Sequence, residues 1–497
     1  MGSLSQTVCE LTGGHSSFSE LNEADKAAQS TALLLQEKLL QYCHESLSTF
    51  DVLEPVHREL LPISVRQISA EGEGTGTLPV LHSGEVLDLL YVVPGSVDLS
   101  ELLQALDLRL QGEAKGLRAA VGDGLLQAPG LEFTMRGIPV KFLLTHAADV
   151  ASISAESINK NVSGYVARQT ALAILESVPD KRAFQQLLTC VRFWAKQRGV
   201  YGQSHDFGYL GGAGWAICCA LVCQIEQHQD LEQLLGAFFD IMSRWDCRVP
   251  VALNGRAHRQ VQRNSAGLKV LLPVGRKLCA NPNLTASAAL QLQKEFRRGN
   301  RIFAKIQHSQ ADWKQIFSVS KFFERYFHYL QFDITASSEE IMFQWLSWCR
   351  QHLQGTAEML ETVGNCHLIT RPWPVWLPFK DCEWHSAIAV FIALRVLPHT
   401  RNEPAGTRTV VDLREILVTL LERLCAWPLA TEHLGEFDLY IRHTSQAEVK
   451  SWLTALEGGF PVKRAHRSTT QTQAAISLPE PDSEDDMSRQ SSSFEFQ

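Results

Sequence analysis

With 497 residues, 45% of them apolar and 20% charged, the chain has room for about three domains of ~100–200 residues and is too apolar for wholesale disorder. A net charge of −8 excludes general coating by nucleic acid, so any such contact rests on local basic segments. No window reaches the ~18 apolar residues of a membrane span, and the start lacks a basic region followed by an apolar run; a soluble, intracellular chain without membrane attachment is predicted.

In chain order, the first 20 residues are polar and Ser/Gly-rich, the pattern of a flexible lead-in. From Glu23 to about Phe50, Ala32, Leu33, Leu35, Leu39 and Leu40 recur at helical spacing and predict an amphipathic helix. Residues 80–145 then hold two short apolar runs, Leu87 to Val93 and Ile138 to Leu144, with the helical stretch Leu99 to Leu110 between them. That texture predicts a small mixed sheet.

From about Ala167 to Trp245 the period turns helical, broken at Tyr201 to Gly214, and predicts a helical middle domain. The twelve cysteines include Cys218, Cys219 and Cys223 but form no Cys-x-x-Cys pair, which reads as buried free thiols in a cytosolic or nuclear redox setting. Between Arg256 and Arg325 many Arg and Lys face only Glu295, Asp312 and Glu324. The excess describes either a phosphate-facing surface or solvated helix faces.

After Trp313 come a strand (Tyr329 to Thr335), a helix (Glu339 to Leu353), an apolar run (Ala387 to Val396) and a last strand (Phe437 to His443), predicting a small α+β domain. Beyond Pro461, Lys463, Arg464 and Arg467 form a short basic patch of the nuclear-import kind. The acidic, Ser-rich remainder predicts disorder.

A long motif begins at Cys190 and reads CVRFWAKQRGVYGQSHDFGYLGGAGWA. With LESVPD (Leu175 to Asp180), FFERYFHYL (Phe322 to Leu330), Trp345, Trp348, Arg350, Met359-Leu360-Glu361 and FIAL (Phe391 to Leu394), it resembles the eukaryotic nuclear poly(A) polymerases over roughly residues 25–455. The resemblance implies an α+β multidomain fold. Its parts are a nucleotidyltransferase-like domain with an N-terminal helix (21–165), a helical central domain (166–318) and an RNA-recognition-like domain (319–460), between a lead-in (1–20) and a tail (461–497).

Such enzymes align an RNA 3′-hydroxyl with ATP and stabilise the reacting phosphate with Mg²⁺ or Mn²⁺. These hard cations need oxygen ligands, which the family supplies as Asp-x-Asp on one strand and a third Asp on a neighbouring strand. Here Val86 takes the first position, Asp88 the second, and Lys141 the third. Two of three metal carboxylates are absent. The Lys141 ammonium is expected where a metal would sit, paired with Asp88; the alternative leaves the two side chains exposed and unrelated. Glu85 falls on the opposite strand face from Asp88.

Gly74 and Thr75 stand at the distance of the family's phosphate-cradling Gly-Ser turn, although Glu71, Glu73 and Pro79 also fit a plain Gly-rich loop. By resemblance, Tyr201 and Gly212 receive adenine, Arg192 replaces a phosphate-contacting Lys, and Ala213 replaces a Val. Trp194, Trp215 and Tyr201 are equally readable as packing aromatics. Arg297, Arg298 and Arg301 are the candidate RNA contacts.

The expected function is a nuclear, monomeric protein of mRNA 3′-end polyadenylation that binds RNA 3′ ends, polyadenylation factors and ATP, with adenylyl transfer lost or weakened. Two alternatives stay open. One is an active adenylyltransferase in which an unrecognised carboxylate such as Glu85 or Glu132 completes the site; the other is a scaffold that binds proteins only.

Overall fold

In the computed structural model the described residues are 4, 7, 87–93, 99–110, 114–121, 129–135, 138–146, 170, 173–202, 207–226, 230–253, 267–274, 278–353, 355–362, 367–397, 409–457 and 475–478. The helix expected over Glu23 to Phe50, the loop at Gly74 and Thr75, Glu85, Val86 and the patch at Lys463 lie outside them.

The chain divides into two units. The first contains Met1–Ala195, Gly211–Ala280 and Glu295–Ser318; the second contains Lys196–Leu210, Asn281–Lys294 and Val319–Gln497. The motif expected wholly in the central domain is therefore shared out, with Lys196–Leu210 grouped with the C-terminal part.

In the first unit, the apolar runs Leu87–Val93 (β1) and Ile138–His146 (β4) pair in parallel. Ala114–Val121 (β2) and Pro129–Met135 (β3) complete a mixed sheet of order β1-β4-β3-β2. Helix α1 (Leu99–Leu110) buries Leu106 and Leu110, and the sheet buries Leu131, Phe133 and Val140. Period-two alternation gives the strands that apolar face.

Helix α2 (Lys181–Gln197) starts at Asp180, whose carboxylate accepts from the Arg182 and Ala183 amides at 2.8 and 3.0 Å. Helix α3 (Gly212–Ile225) is apolar on nearly every side and correspondingly buried, while α4 (Leu231–Arg244) is capped by Asp230. Helix α5 (Ala286–Gln307) opens at Thr285, whose hydroxyl accepts from the Ala288 amide.

Trp194 of α2 anchors the core of this unit. Its ring lies 5.8 Å from Trp215, 5.1 Å from Phe239 and 5.7 Å from Phe296, centroid to centroid. Both tryptophans are fully buried, so the packing alternative describes them. Helices α4 and α5 approach through two notches: a Cβ on Gly236 would stand 2.1 Å from Phe303, and one on Gly299 2.3 Å from Phe239. Each glycine makes room for a ring of the facing helix.

The second unit is built on β5 (His328–Ala336), which follows the helical turn α6 (Phe322–Arg325). Then come α7 (Glu339–His352, capped by Ser338), α8 (Thr356–Glu361), β6 (His367–Pro372), β7 (Leu377–Phe379) and β8 (Ser386–Leu397). After β9 (Thr409–Asp412), α9 (Arg414–Cys425), β10 (Phe437–Ser445) and α10 (Gln446–Glu457) close the domain. The sheet order β10-β5-β8-β6 is that of a split β-α-β domain.

Both faces of this sheet are filled. Tyr329, Ala389, Phe391 and Ala393 pack against Val449 and Trp452 of α10 and against Phe322 and Phe379. Among them lies a buried polar chain: the Thr444 hydroxyl donates to Gln331 at 3.1 Å, Gln331 donates to Asp333 at 2.7 Å, and Arg442 stands 3.8 Å from Asp333. Hydrogen bonding is what makes those buried groups tolerable.

Within the stretch expected to be disordered, Ala475–Leu478 (β11) pairs antiparallel with β9. The four-residue run AISL alternates apolar and small residues and adds to the edge that β9 offers.

On β5 and β10, His328 Nδ1 and His443 Nε2 stand 2.9 Å apart in a hydrogen bond. Burial pushes the His328 pKa down to about 4; burial, reinforced by His328, pushes His443 down to about 3. Both rings are neutral at pH 7. The unfolded chain, titrating near 6.5, binds more protons below that value, so the stability held above about pH 6.5 is lost as pH falls toward 4 and 3. By pH 5 the expected loss is about 1–2 kcal/mol per histidine. Urea midpoints measured at several pH values check it: His443→Leu should flatten the slope between pH 6.5 and 4.

Candidate functional site

Strand register decides what stands beside Asp88. The parallel β1/β4 pairing sets Asp88 opposite Lys141, and the antiparallel β3/β4 pairing sets Glu132 opposite Lys141 on its other side. Arg118 of β2 is in turn opposite Glu132. Four neighbouring strands thus carry an acid, a base, an acid and a base in one lateral row. The adjacent positions of β3 and β4, Leu131, Phe133 and Val140, are buried.

This row tests whether the sheet suits a divalent cation. Neighbouring strands lie about 4.8 Å apart, so Asp88 and Glu132, with β4 between them, are separated by roughly 10 Å of backbone. Lys141 occupies the intervening position. The family resemblance assigns the third ligand to the Lys141 position, and a lysine supplies no oxygen to a divalent cation. Glu132 is therefore no neighbour of Asp88. Sequence reading named Glu132 only as a carboxylate that could complete the site and did not single out Arg118, since their placement in the row depends on how β2, β3 and β4 pair.

In the first unit the helical motif positions Arg192 on α2, half-buried, and Gly212 and Ala213 in the first turn of α3, partly exposed. Gly211 caps α3 without a side-chain hydrogen bond, at the positive end of the helix. In the second unit, Tyr201 forms an isolated bridge to Leu210, and Gly202 donates to the Leu210 carbonyl at 3.2 Å. The Lys196 ammonium lies 5.3 Å from the Tyr201 ring centroid. Gly208 adopts a φ of +76° and passes so close to Asn283 that a Cβ would stand 2.1 Å from its carbonyl oxygen. Only glycine fits there.

The three arginines expected to meet RNA separate into two kinds. Arg298 is tied down: its guanidinium donates to the carbonyls of Ile316 and Gln315 at 3.1 and 2.5 Å and to the Ser318 hydroxyl at 2.6 Å, fixing the chain that follows α5. Arg297 and Arg301 are exposed, and Lys305 continues their line at the same four-residue step. The spacing Arg297, Arg301, Lys305 is legible in the sequence, although Lys305 is not in the expected set.

Burial pushes the thiols of Cys218 and Cys223 up to about 12 and raises that of Cys219 as well, so all three are protonated and poor metal ligands at pH 7. Among the described residues no group of three or more His, Cys, Asp or Glu is arranged to hold a metal ion, and no helix is long and apolar enough to cross a membrane.

Residues 183–319 match the family model of the poly(A) polymerase central domain. The chain is 28% identical to nuclear poly(A) polymerase 4 of Arabidopsis thaliana over 324 residues, which is 61% of this chain and 43% of that protein. It is 26% identical to poly(A) polymerase pla1 of Schizosaccharomyces pombe over 328 residues, 59% of this chain and 56% of that one. The chain thus spans about half the length of these relatives. Among solved structures, mtPAP in complex with UTP is 10% identical, with a TM-score of 0.35, over 49% of this chain and 63% of that one.

Proposed function

We propose, from the premise that the chain is a member of the poly(A) polymerase family, that it binds RNA 3′ ends in nuclear mRNA polyadenylation without transferring adenylate. The observation that carries this reading is Lys141 between Asp88 and Glu132 in the strand register. A lysine at that register position brings a positive charge where a divalent ion needs an anionic oxygen ligand.

ATP binding is a separate question from turnover. By resemblance, Arg192, Gly212 and Ala213 are the cation and helix-terminal amides that a nucleotide needs apart from its metal. Binding partners in this reading are RNA and other polyadenylation factors, and the relatives' names as nuclear enzymes support the compartment.

Extension of an oligo(A) primer with ATP tests the proposal, with Mg²⁺ and with Mn²⁺ as the added ion. The expected result is no elongation above a reaction lacking protein, together with retention of the primer in a gel-shift assay. Elongation that disappears in Asp88→Asn would overturn it.

A further inference from the structure

We propose that Arg297, Arg301 and Lys305 form a track on the outer face of α5 for the phosphodiester backbone of single-stranded RNA, with the bases left unread. The inference rests on the RNA-binding reading above and assigns that binding to one surface. Steps of four residues keep the three cations on one helix face, about 6 Å apart along the axis. All three are exposed, and none has a carboxylate partner among the described residues.

Their surroundings distinguish them from an ordinary solvated face. Two exposed arginines elsewhere in this unit are neutralised: Arg244 pairs with Asp240, and Arg248 with Asp246 at 2.8 Å. The only acid on α5 is Glu295, which is 2% exposed and contributes nothing to the outer surface. Arg298 strengthens the track indirectly, by holding the chain after α5 through the Gln315 and Ile316 carbonyls.

RNA is favoured over a protein partner for two reasons. An evenly stepped line of cations suits a uniform polyanion, whereas protein interfaces rely on buried anchors, and the one large apolar residue exposed on α5 is Leu290, two turns before Arg297. In addition, the sheet on which an RNA-recognition domain stacks bases is closed here: Tyr329 and Phe391 are fully buried and Trp452 packs over them. Backbone electrostatics is the mode of contact that the α5 cations offer.

Fluorescence anisotropy with labelled oligo(A) and oligo(U) across a range of salt concentrations tests the track in the full chain. Each single-strand phosphate contact contributes about 0.7 to the slope of log affinity against log salt, so R297Q/R301Q/K305Q should lower the slope by about 2 and weaken binding roughly 100-fold at 0.1 M salt. The loss should be equal for the two oligonucleotides. R301Q alone should remove about one third of the slope change and serves if the triple variant melts early.

Wild-type affinity and slope in both variants would overturn the track while leaving RNA binding in place. Failure of the wild type to bind either oligonucleotide, with polyglutamate bound instead, would overturn the track and the RNA reading together. It would identify an acidic protein segment as the occupant.

Discussion

Lys141→Asp should give the protein a divalent-cation response that the wild type lacks. The substitution places a carboxylate between Asp88 and Glu132, so that β1, β4 and β3 carry three acids side by side where the register now interposes an ammonium. Without metal, the new carboxylate would lie one strand spacing, about 4.8 Å of backbone, from an acid on either side, and a loss of roughly 1–3 kcal/mol is expected. Mn²⁺ should restore it: an ion at one hundred times its dissociation constant stabilises the folded state by about 2.7 kcal/mol.

Thermal melts in EDTA, Mg²⁺ and Mn²⁺ read this directly. For wild type the three curves should coincide; for Lys141→Asp the melt should rise with added metal by several degrees. A wild-type melt that itself rises with Mn²⁺, and does so less in Asp88→Asn, would show that Lys141 does not exclude the ion. The measurement is independent of turnover, because a restored ion need not restore adenylyl transfer when Val86 stands at the other ligand position.

Trp194→Ala should cost about 3–5 kcal/mol, the range for removing a fully buried aromatic side chain. Its indole touches Trp215, Phe238, Phe239 and Phe296, so the void would open at the meeting of α2, α3, α4 and α5. A urea midpoint shifted down at nearly constant slope is the expected signature. Because Trp194 is 0% exposed, nucleotide affinity per folded molecule should stay within experimental error. A selective loss of ATP binding with normal stability would instead place Trp194 in a ligand site.

Some of the architecture is written into local chemistry. The helix Leu99–Leu110 and the strand Leu87–Val93 coincide with the stretches read from apolar runs and their punctuation. Later strands begin and end within two residues of expectation, as at His328–Ala336 and Phe437–Ser445. Helix α10 is not legible in this way. Its Val449, Trp452, Leu453 and Leu456 do follow helical spacing, but nothing local to QAEVKSWLTALE says that Val449 and Trp452 cover this sheet.

The sequence by itself determined the mixed α and β character and the family resemblance carried by the motif from Cys190, and it raised the expectation that Val86 and Lys141 stand at two carboxylate positions. These are properties of residue identity and of spacing along a single element. Only the tertiary structure decided that Glu132 and Arg118 extend the row beginning at Asp88, that Arg298 is spent on backbone carbonyls, and that α10 closes the C-terminal sheet. The physical reason is the same in each case. Pairing register and helix docking bring together residues far apart in the chain, and no local period encodes which strand becomes whose neighbour.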